Sequence, residues 1–318
     1  MDRRNFIITS TSGLAGVTLG SKLMASPLSS SSSPRRPIHV FTKCLQFLDY
    51  DQMAGVVAKN GFDGADLTVR PKGQVLPENV EQDLPRVVKA LQGEGIGTNM
   101  ITTGINNADD PFTRPILKTM AELGIRYYRM GYIKYDDNKS MPDNLNLHKL
   151  TFEKLEKLNK EYGVTGNYQN HSGADVGATV WDLYHMLKDC NPEFIGVQYD
   201  IRHATAEGGF SWPLGLKLLG PWIRTTDIKD FIWFKNEKGE WNIKNVPLGE
   251  GMVDFKKYFQ LYKSMDIEAP VSIHYEYDLG GAEHGDKNPT MSLDEINKWL
   301  KKDITFLKNE FSKYGILS

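Results

Sequence analysis

Four stretches of the chain place charged, amide or imidazole side chains directly after a short apolar run. They are residues 167–171, 196–203, 226–230 and 272–276. Short apolar runs with polar boundaries are typical of strands buried in a parallel sheet. In α/β folds, the residues that do chemistry follow such strands at their carboxyl ends. The sequence therefore predicts one site that is assembled from four strand ends.

The residue types in these stretches are those of metal ligands and proton-transfer groups. Alternate residues of a strand face the same side, which pairs side chains on three strands: Gln169 with His171, Asp227 with Lys229, and His274 with Glu276. Asp200 and His203 come from the remaining stretch. A polar residue that ends a single strand is often a helix cap or a satisfied buried group. Four consecutive strands that end in this way favour a functional site.

Strand-like and helix-like segments alternate along the chain from Ile38 onward. The predicted strands span residues 39–43, 65–69, 97–102, 127–133, 164–170, 195–201, 223–228 and 271–275, and a longer insertion is read as a loop over residues 230–251. Strands that alternate with helices form parallel βαβ units, and eight such units form a closed barrel. We therefore expect a single (β/α)8 TIM-barrel domain over residues 37–318. An open doubly wound sheet is the alternative, but no Gly-x-Gly-x-x-Gly fingerprint supports a dinucleotide site.

The first 36 residues differ from the rest of the chain. Arg3 and Arg4 precede a moderately apolar run that reaches Gly20, and a serine tract follows at residues 29–33. A charged start, a short apolar run and small residues are typical of an export signal, here of the twin-arginine type. We therefore expect residues 1–36 to be a signal and linker, and the mature protein to be periplasmic. A poorly ordered basic N-terminus is the alternative.

The overall composition excludes some classes of partner. The formal net charge of −2 gives no support for nucleic-acid binding. No segment of the mature chain is apolar enough to span a membrane. The two cysteines, Cys44 and Cys190, are too few for a disulfide framework. The composition leaves a homo-oligomer open.

Several short motifs resemble those of the sugar phosphate isomerase/epimerase family, the xylose isomerase-like TIM barrels. The similarity covers the chain from about Ile38 onward, and the motifs occur in the family's order around the eightfold repeat. They are Gly-Phe-Asp-Gly-Ala-Asp-Leu at residues 61–67, Asn-His-Ser-Gly at 170–173, Asp200 with His203, Ile-Lys-Asp at 228–230, Pro-Leu-Gly-Glu-Gly at 247–251, and Val-Ser-Ile-His-Tyr-Glu at 271–276. The resemblance implies a metal-dependent sugar enzyme.

The resemblance also implies a metal-ligand set, in which this chain departs from the family pattern. The family holds its metal with Glu, Asp, His and Glu on the fifth to eighth strands. The matching positions here are Gln169, Asp200, Asp227 and His274. The seventh strand has exchanged an imidazole for a carboxylate, and the eighth has done the reverse. This mixed set of oxygen and nitrogen donors would suit Mn²⁺, Mg²⁺ or Zn²⁺.

The altered ligand set changes the expected catalytic groups. In the family, the two metal-bound glutamates also move the proton between adjacent carbons, and this chain has neither. The remaining candidate bases are His203, His171 and Glu276, with Lys229 as an electrostatic clamp for an enolate. His203 is the leading candidate because it lies one turn after Asp200. Its alternative role is to orient Asp200.

Arg70, Arg129 and Trp233 are the predicted substrate contacts, and a neutral carbohydrate or keto-glycoside is favoured over a sugar phosphate. The leading hypothesis is an isomerase or epimerase that removes a proton alpha to a sugar carbonyl. One alternative is a lyase or dehydratase that acts on a keto-glycoside through the same enolate. A second alternative is a non-catalytic exported carbohydrate-binding barrel.

Overall fold

A computed structural model describes residues 36–316, so the predicted signal lies outside the described residues except for Arg36. The Arg36 side chain is buried, and its guanidinium Nε donates to the carbonyl of Ile267 at 2.6 Å. Arg36 is therefore packed against the domain that the predicted linker precedes. In the described part of the chain, no helix has the length and hydropathy needed to cross a membrane.

Eight parallel strands close into a barrel, which confirms the predicted TIM-barrel fold. In chain order they are β1 Ile38–Phe41, β2 Gly64–Val69, β3 Gly97–Thr103, β4 Tyr127–Arg129, β5 Thr165–Gln169, β6 Ile195–Asp200, β7 Ile223–Ile228 and, after a two-stranded hairpin, β10 Val271–Ile273. The neighbour order is β1-β10-β7-β6-β5-β4-β3-β2. Because all strands run in the same direction, every carboxyl end lies at one mouth of the barrel.

Helices connect the strands and cover the barrel. They are α1 Tyr50–Asn60, α2 Val80–Gly93, α3 Thr113–Glu122, α4 Met141–Tyr162, α5 Val180–Leu187, α6 Ile201–Gly208, α7 Trp212–Leu219, α8 Phe255–Ser264 and α9 Leu293–Lys313. Local sequence sets several of their ends. Asp49 and Gln52 form a capping box at the start of α1, and Gly61 ends that helix with a φ of 84°. Such caps each contribute about 1 kcal/mol.

The predicted sixth strand is one residue too long, because Asp200 ends β6 and caps a helix that the sequence reading missed. Its Oδ1 accepts a hydrogen bond from the backbone N–H of His203 at 3.1 Å. This bond satisfies one of the free N–H groups in the first turn of α6. As a consequence, Asp200 and His203 are held close together at the mouth.

The predicted long loop over residues 230–251 is wrong, since most of it forms an antiparallel hairpin. Its strands are β8 Asp230–Lys235 and β9 Trp241–Val246. The carboxylate of Asp230 accepts backbone hydrogen bonds from Phe231, Gly249, Gly251 and Val253. Asp230 therefore fixes the base of the hairpin. The apolar run Phe-Ile-Trp-Phe at 231–234 and the alternation of apolar and polar residues at 241–244 are the sequence signals for these strands.

Candidate active site

The four predicted strand ends meet at the barrel mouth, and the amide of Gln169 connects two of their carboxylates. Its Nε2 donates to Asp200 Oδ2 at 2.9 Å and to Asp227 Oδ2 at 2.5 Å. Its Oε1 accepts from the guanidinium of Arg129 at 3.1 Å and from the hydroxyl of Tyr132 at 2.5 Å. Because Arg129 can only donate, the amide oxygen faces away from the two carboxylates.

Asp200, His203 and Lys229 form one buried cluster, the Asp200 centre. The Lys229 ammonium lies 2.8 Å from Asp200 Oδ2 and 2.8 Å from His203 Nε2. Burial alone would lower the pKa of Lys229, but Asp200 and Glu276 more than offset it, so this pKa is raised. Burial raises the pKa of Asp200 despite the ammonium. Within this centre, a cation of the chain itself already balances the carboxylate.

The imidazole of His203 is held neutral by its neighbours. Its Nδ1 accepts hydrogen bonds from the backbone N–H of Ser172 at 3.1 Å and from the Arg202 guanidinium at 2.8 Å. Its Nε2 lies 2.8 Å from the Lys229 ammonium, which can only donate, and 3.5 Å from Asp200 Oδ2. Cationic donors therefore face both ring nitrogens and disfavour a positive charge on the ring. Burial, and then the charge of Lys229, hold the pKa of His203 well below its usual range. This geometry favours the orienting role over the role of general base.

Asp66, Asp227 and His274 form a second buried cluster, the Asp66 centre. One ligand atom from each of the three side chains lies within 4.8 Å of the other two. His274 Nε2 is 3.2 Å from Asp227 Oδ1 and 3.9 Å from Asp66 Oδ2. It has no hydrogen-bond partner within residues 36–316, although it is buried. An unpartnered nitrogen between two carboxylates is the arrangement of a ligand set that faces a cation.

The chemistry of the Asp66 centre fits a divalent metal. Two carboxylates and one imidazole are donors that Zn²⁺ and Mn²⁺ accept, with other positions left for substrate oxygens. The His274 ring stacks on Phe41 with ring centres 4.2 Å apart, which fixes the direction of Nε2. Burial lowers the pKa of His274, but Asp227 reverses the effect, so the pKa is raised overall. Burial raises the pKa of Asp66 to about 6.

Hydrogen bonds from neighbouring strands hold the two carboxylates of the Asp66 centre. The Thr102 hydroxyl donates to Asp66 Oδ1 at 3.0 Å, and the Ser272 hydroxyl donates to Asp66 Oδ2 at 2.8 Å. Gln198 Nε2 donates to Asp227 Oδ1 at 2.7 Å. Such supporting contacts orient carboxylates toward a bound ion.

Two of the four predicted ligands, Asp227 and His274, thus lie in the trio that could hold a metal. The other two, Gln169 and Asp200, bond to each other and to other side chains, and their role as ligands stays a prediction. Sequence reasoning missed Asp66 as a ligand. The available signal was a single charged residue in the middle of strand β2, whose other residues are uncharged.

His171 and Glu276 are the two mouth residues placed to accept a proton. His171 Nδ1 lies 2.9 Å from the carbonyl oxygen of Ser172, so Nδ1 carries the hydrogen and Nε2 is left as an acceptor. Burial, and then Lys229, lower the pKa of His171 to about 4. Burial acts to raise the pKa of Glu276, but Lys229 and His274 hold it well below its usual range. Both groups are therefore unprotonated bases at neutral pH.

Two of the three predicted substrate contacts lie together at the barrel mouth, and the third lies elsewhere. Arg70 and Arg129 lie at the mouth, with guanidinium carbons 5.6 and 5.7 Å from the centre of the Phe41 ring. Trp233 is on the hairpin, and its exposed side chain lines a groove with Phe210 and Met252. None of the mouth residues described above lines that groove. The prediction for Trp233 therefore concerns a different surface from the one that holds both arginines.

Comparisons with known proteins agree with this architecture. A family model described as "Xylose isomerase-like TIM barrel" matches residues 54–309. The chain has no match in sequence among curated proteins.

Similar solved structures share the fold at low sequence identity. An L-ribulose 3-epimerase is 15% identical with a TM-score of 0.66, over 88% of this chain and 95% of that one. A 3-keto-D-glucoside 4-epimerase from E. coli is 12% identical with a TM-score of 0.61, over 86% and 99%. A probable 3-DHS dehydratase from Bacillus anthracis is 16% identical with a TM-score of 0.60, over 86% and 98%.

Proposed function

Since the chain belongs to the xylose isomerase-like TIM barrel family, we propose that it is a metal-assisted enzyme that isomerises or epimerises a sugar. The reaction moves a proton on a carbon alpha to the sugar carbonyl. The observation that carries this proposal is the placement of two unprotonated bases around one buried ammonium. Glu276 Oε2 lies 3.5 Å from Lys229 Nζ. The His171 ring lies 4.0 Å from the His203 ring at an angle of 39°, and His203 contacts the same ammonium.

Asp66, Asp227 and His274 are the proposed metal ligands. A divalent ion held by them would polarise the carbonyl of the substrate as a Lewis acid. The Nε2 atom of His274, buried and without a hydrogen-bond partner in the described chain, supports this assignment. The predicted set with Gln169 and Asp200 is the competing assignment.

The remaining roles follow from the hydrogen bonds at the mouth. His171 Nε2 takes the proton from the alpha carbon; the electron pair of the broken C–H bond forms the C=C bond of the enolate, and the π pair of the C=O bond moves onto oxygen. Lys229 stabilises the negative charge that develops there. In an isomerisation, His171 returns this proton to the former carbonyl carbon, and Glu276 passes the proton of the neighbouring hydroxyl to the former carbonyl oxygen. In an epimerisation, Glu276 first takes a proton from solvent and then delivers it to the opposite face of the alpha carbon. His203 acts through Asp200 and Lys229 as a positioning residue.

Exchange of the alpha hydrogen with solvent tests the proposal. The protein, supplied with Mn²⁺ or Zn²⁺, would be incubated in D₂O with free ketoses, keto-uronates and 3-keto-glucosides, and deuterium incorporation would be followed by NMR. We expect incorporation into one sugar of this panel. His171→Gln should slow it by about 10²- to 10⁴-fold, which is the usual contribution of a general base.

His185→Gln is the matched control, because His185 lies on α5 and bonds to Asn146 rather than to a mouth residue. It should leave exchange unchanged. No exchange with any member of the panel would contradict the proposal and favour the carbohydrate-binding barrel. Loss of a leaving group from the keto-glucoside would identify the lyase reaction instead. An unchanged rate in His171→Gln would remove His171 from its role.

A further inference from the structure

Three cationic side chains surround the ring of Phe41 at the barrel mouth. Lys43 Nζ lies 5.8 Å from the ring centre, and the guanidinium carbons of Arg70 and Arg129 lie 5.6 and 5.7 Å from it. We call these four residues the Phe41 platform. The ring itself is buried and stacks on His274, so the platform borders the Asp66 centre. A cluster of like charges at this position needs anions to balance it.

Two of the three cations have polar partners within the chain. Lys43 Nζ lies 3.7 Å from Glu276 Oε1, and Arg129 donates to Gln169 Oε1 at 3.1 Å. The guanidinium of Arg70 has no hydrogen bond or ion pair with any residue in 36–316, although it is partly buried. Burial, and then the charge of Arg129, lower the pKa of Arg70 to about 10. Within residues 36–316, the guanidinium of Arg70 therefore lies next to another cation and has no carboxylate in direct contact, although Asp66 and Glu276 attract it from farther away.

Arg86 shows what an ordinary stacked arginine of this chain looks like. Its guanidinium carbon lies 5.6 Å from the centre of the Tyr50 ring, the same distance as Arg70 from Phe41. Arg86 is exposed, yet it also donates to Asp83 at 2.8 Å. Stacking on a ring is thus common to both arginines, and only the less exposed Arg70 lacks a carboxylate.

The backbone holds Arg70 in place before any ligand arrives. Its N–H donates to the carbonyl of Val75 at 3.1 Å, and its own carbonyl accepts from Gly73 N–H at 2.8 Å. A Cβ at Gly73 would come within 2.6 Å of the Thr68 carbonyl oxygen, so the tight turn needs glycine there. A fixed backbone lowers the entropy lost when the side chain binds.

We propose that the Phe41 platform binds a carboxylate of the substrate, which makes the substrate a sugar acid rather than a neutral sugar. This inference rests on the proposed function. A carboxylate matches the planar fork of Arg70 with two parallel hydrogen bonds, and Lys43 lies beside the same ring to share the charge. A neutral sugar would leave Arg70 without a counterion. A phosphate ester would bring a second charge and a third oxygen to one free guanidinium.

Calorimetric titration of the intact protein with three sugars tests this inference. The probes are D-glucuronate, D-glucose and D-glucose 6-phosphate at the same pH and ionic strength. We expect glucuronate to bind about 10-fold more tightly than glucose, or better, as a charged hydrogen-bonded pair implies. Arg70→Gln should abolish this preference, and Arg70→Lys should keep part of it. Arg86→Gln should behave as the wild type, and circular dichroism checks that each variant is folded.

Four results would overturn the inference. The first three are equal binding of glucuronate and glucose by the wild type, no binding of either, and an Arg70→Gln variant that keeps the full preference. Tighter binding of glucose 6-phosphate than of glucuronate would assign the platform to phosphate esters and would also overturn it. Because binding is measured without turnover, these results are independent of deuterium exchange. The inference can therefore fail while the proposed enzyme stands, and the reverse is equally open.

Discussion

The Asp200 centre and the Asp66 centre are built from the same kinds of group but differ in how their charges are balanced. Each combines carboxylate and imidazole side chains, and each is buried at the same barrel mouth. In the Asp200 centre, Lys229 supplies a cation at 2.8 Å and both imidazole nitrogens have polar neighbours. In the Asp66 centre, His274 Nε2 is left without a hydrogen bond from the described chain. The Asp66 centre can thus bind a cation from solvent.

The two imidazoles respond to this difference in opposite directions. Burial and Lys229 lower the pKa of His203. For His274, the pull of Asp227 outweighs burial, and its pKa is raised. Positive charge is therefore disfavoured at one imidazole and favoured at the other. Without an ion, a protonated His274 would balance Asp227, and a divalent ion bound at the Asp66 centre would take the place of that proton.

The largest effect on stability is expected from the removal of the Lys229 ammonium. Lys229→Met would leave the buried Asp200 carboxylate without its counterion, and we expect a loss of about 3–5 kcal/mol in the free energy of unfolding. Denaturation with urea measures this change. Lys302→Met is the matched control, because it removes an ion pair with Glu250 in which both side chains are exposed. That change should cost less than about 1 kcal/mol.

A small effect of Lys229→Met would contradict the comparison. If Lys229→Met and Lys302→Met destabilised the protein equally, Lys229 would not be the counterion of Asp200. The Asp200 centre would then also be a place for an external cation, and the two centres would not differ as described.

A smaller effect should appear in the pH dependence of stability. The pKa of His203 in the folded protein lies well below the unfolded value of about 6.5, so the unfolded chain takes up the proton first. Stability should therefore fall as the pH drops below about 6.5, by at most about 1.4 kcal/mol per pH unit for this one group. His203→Gln should flatten this slope relative to the wild type.

The exposed His284 provides the control for that measurement. Urea denaturation at several pH values between 7 and 4.5 would be compared for the wild type, His203→Gln and His284→Gln. His284→Gln should keep the slope of the wild type. A slope that stays the same in His203→Gln would show that His203 is not held neutral by its surroundings.

The fold could be predicted from the sequence because its signals are local and repeated. Apolar runs, helical segments and glycine stops recur along the chain, and the bounds of β7 agree with those predicted. The helix α6 was missed because it starts at Asp200, whose carboxylate both ends a strand and caps a helix. The hairpin is hard to predict because few of its residues are buried, and apolar and polar residues alternate only at positions 241–244.

The sequence predicts which strand ends form the candidate site, but it does not predict which side chains contact one another there. That four strands deliver polar groups to one mouth follows from the parallel barrel. The orientation of the Gln169 amide depends on Arg129, 40 residues away, and no spacing rule shows it. Asp66 joins His274 only when β10 and β2 flank β1 in the closed barrel. The export signal, the periplasmic location and a homo-oligomer stay predictions.

Metal titration is the most direct test of the central claim that Asp66, Asp227 and His274 hold the ion. Calorimetry with Zn²⁺ and Mn²⁺ should give one site in the wild type, and Asp66→Asn should weaken it by about 10- to 100-fold or more. Asp200→Asn should keep the affinity, as should Glu283→Gln, which alters a buried carboxylate bonded to Leu279 and Gly281. Strong binding in Asp66→Asn together with lost binding in Asp200→Asn would contradict the claim and restore the ligand set with Gln169 and Asp200.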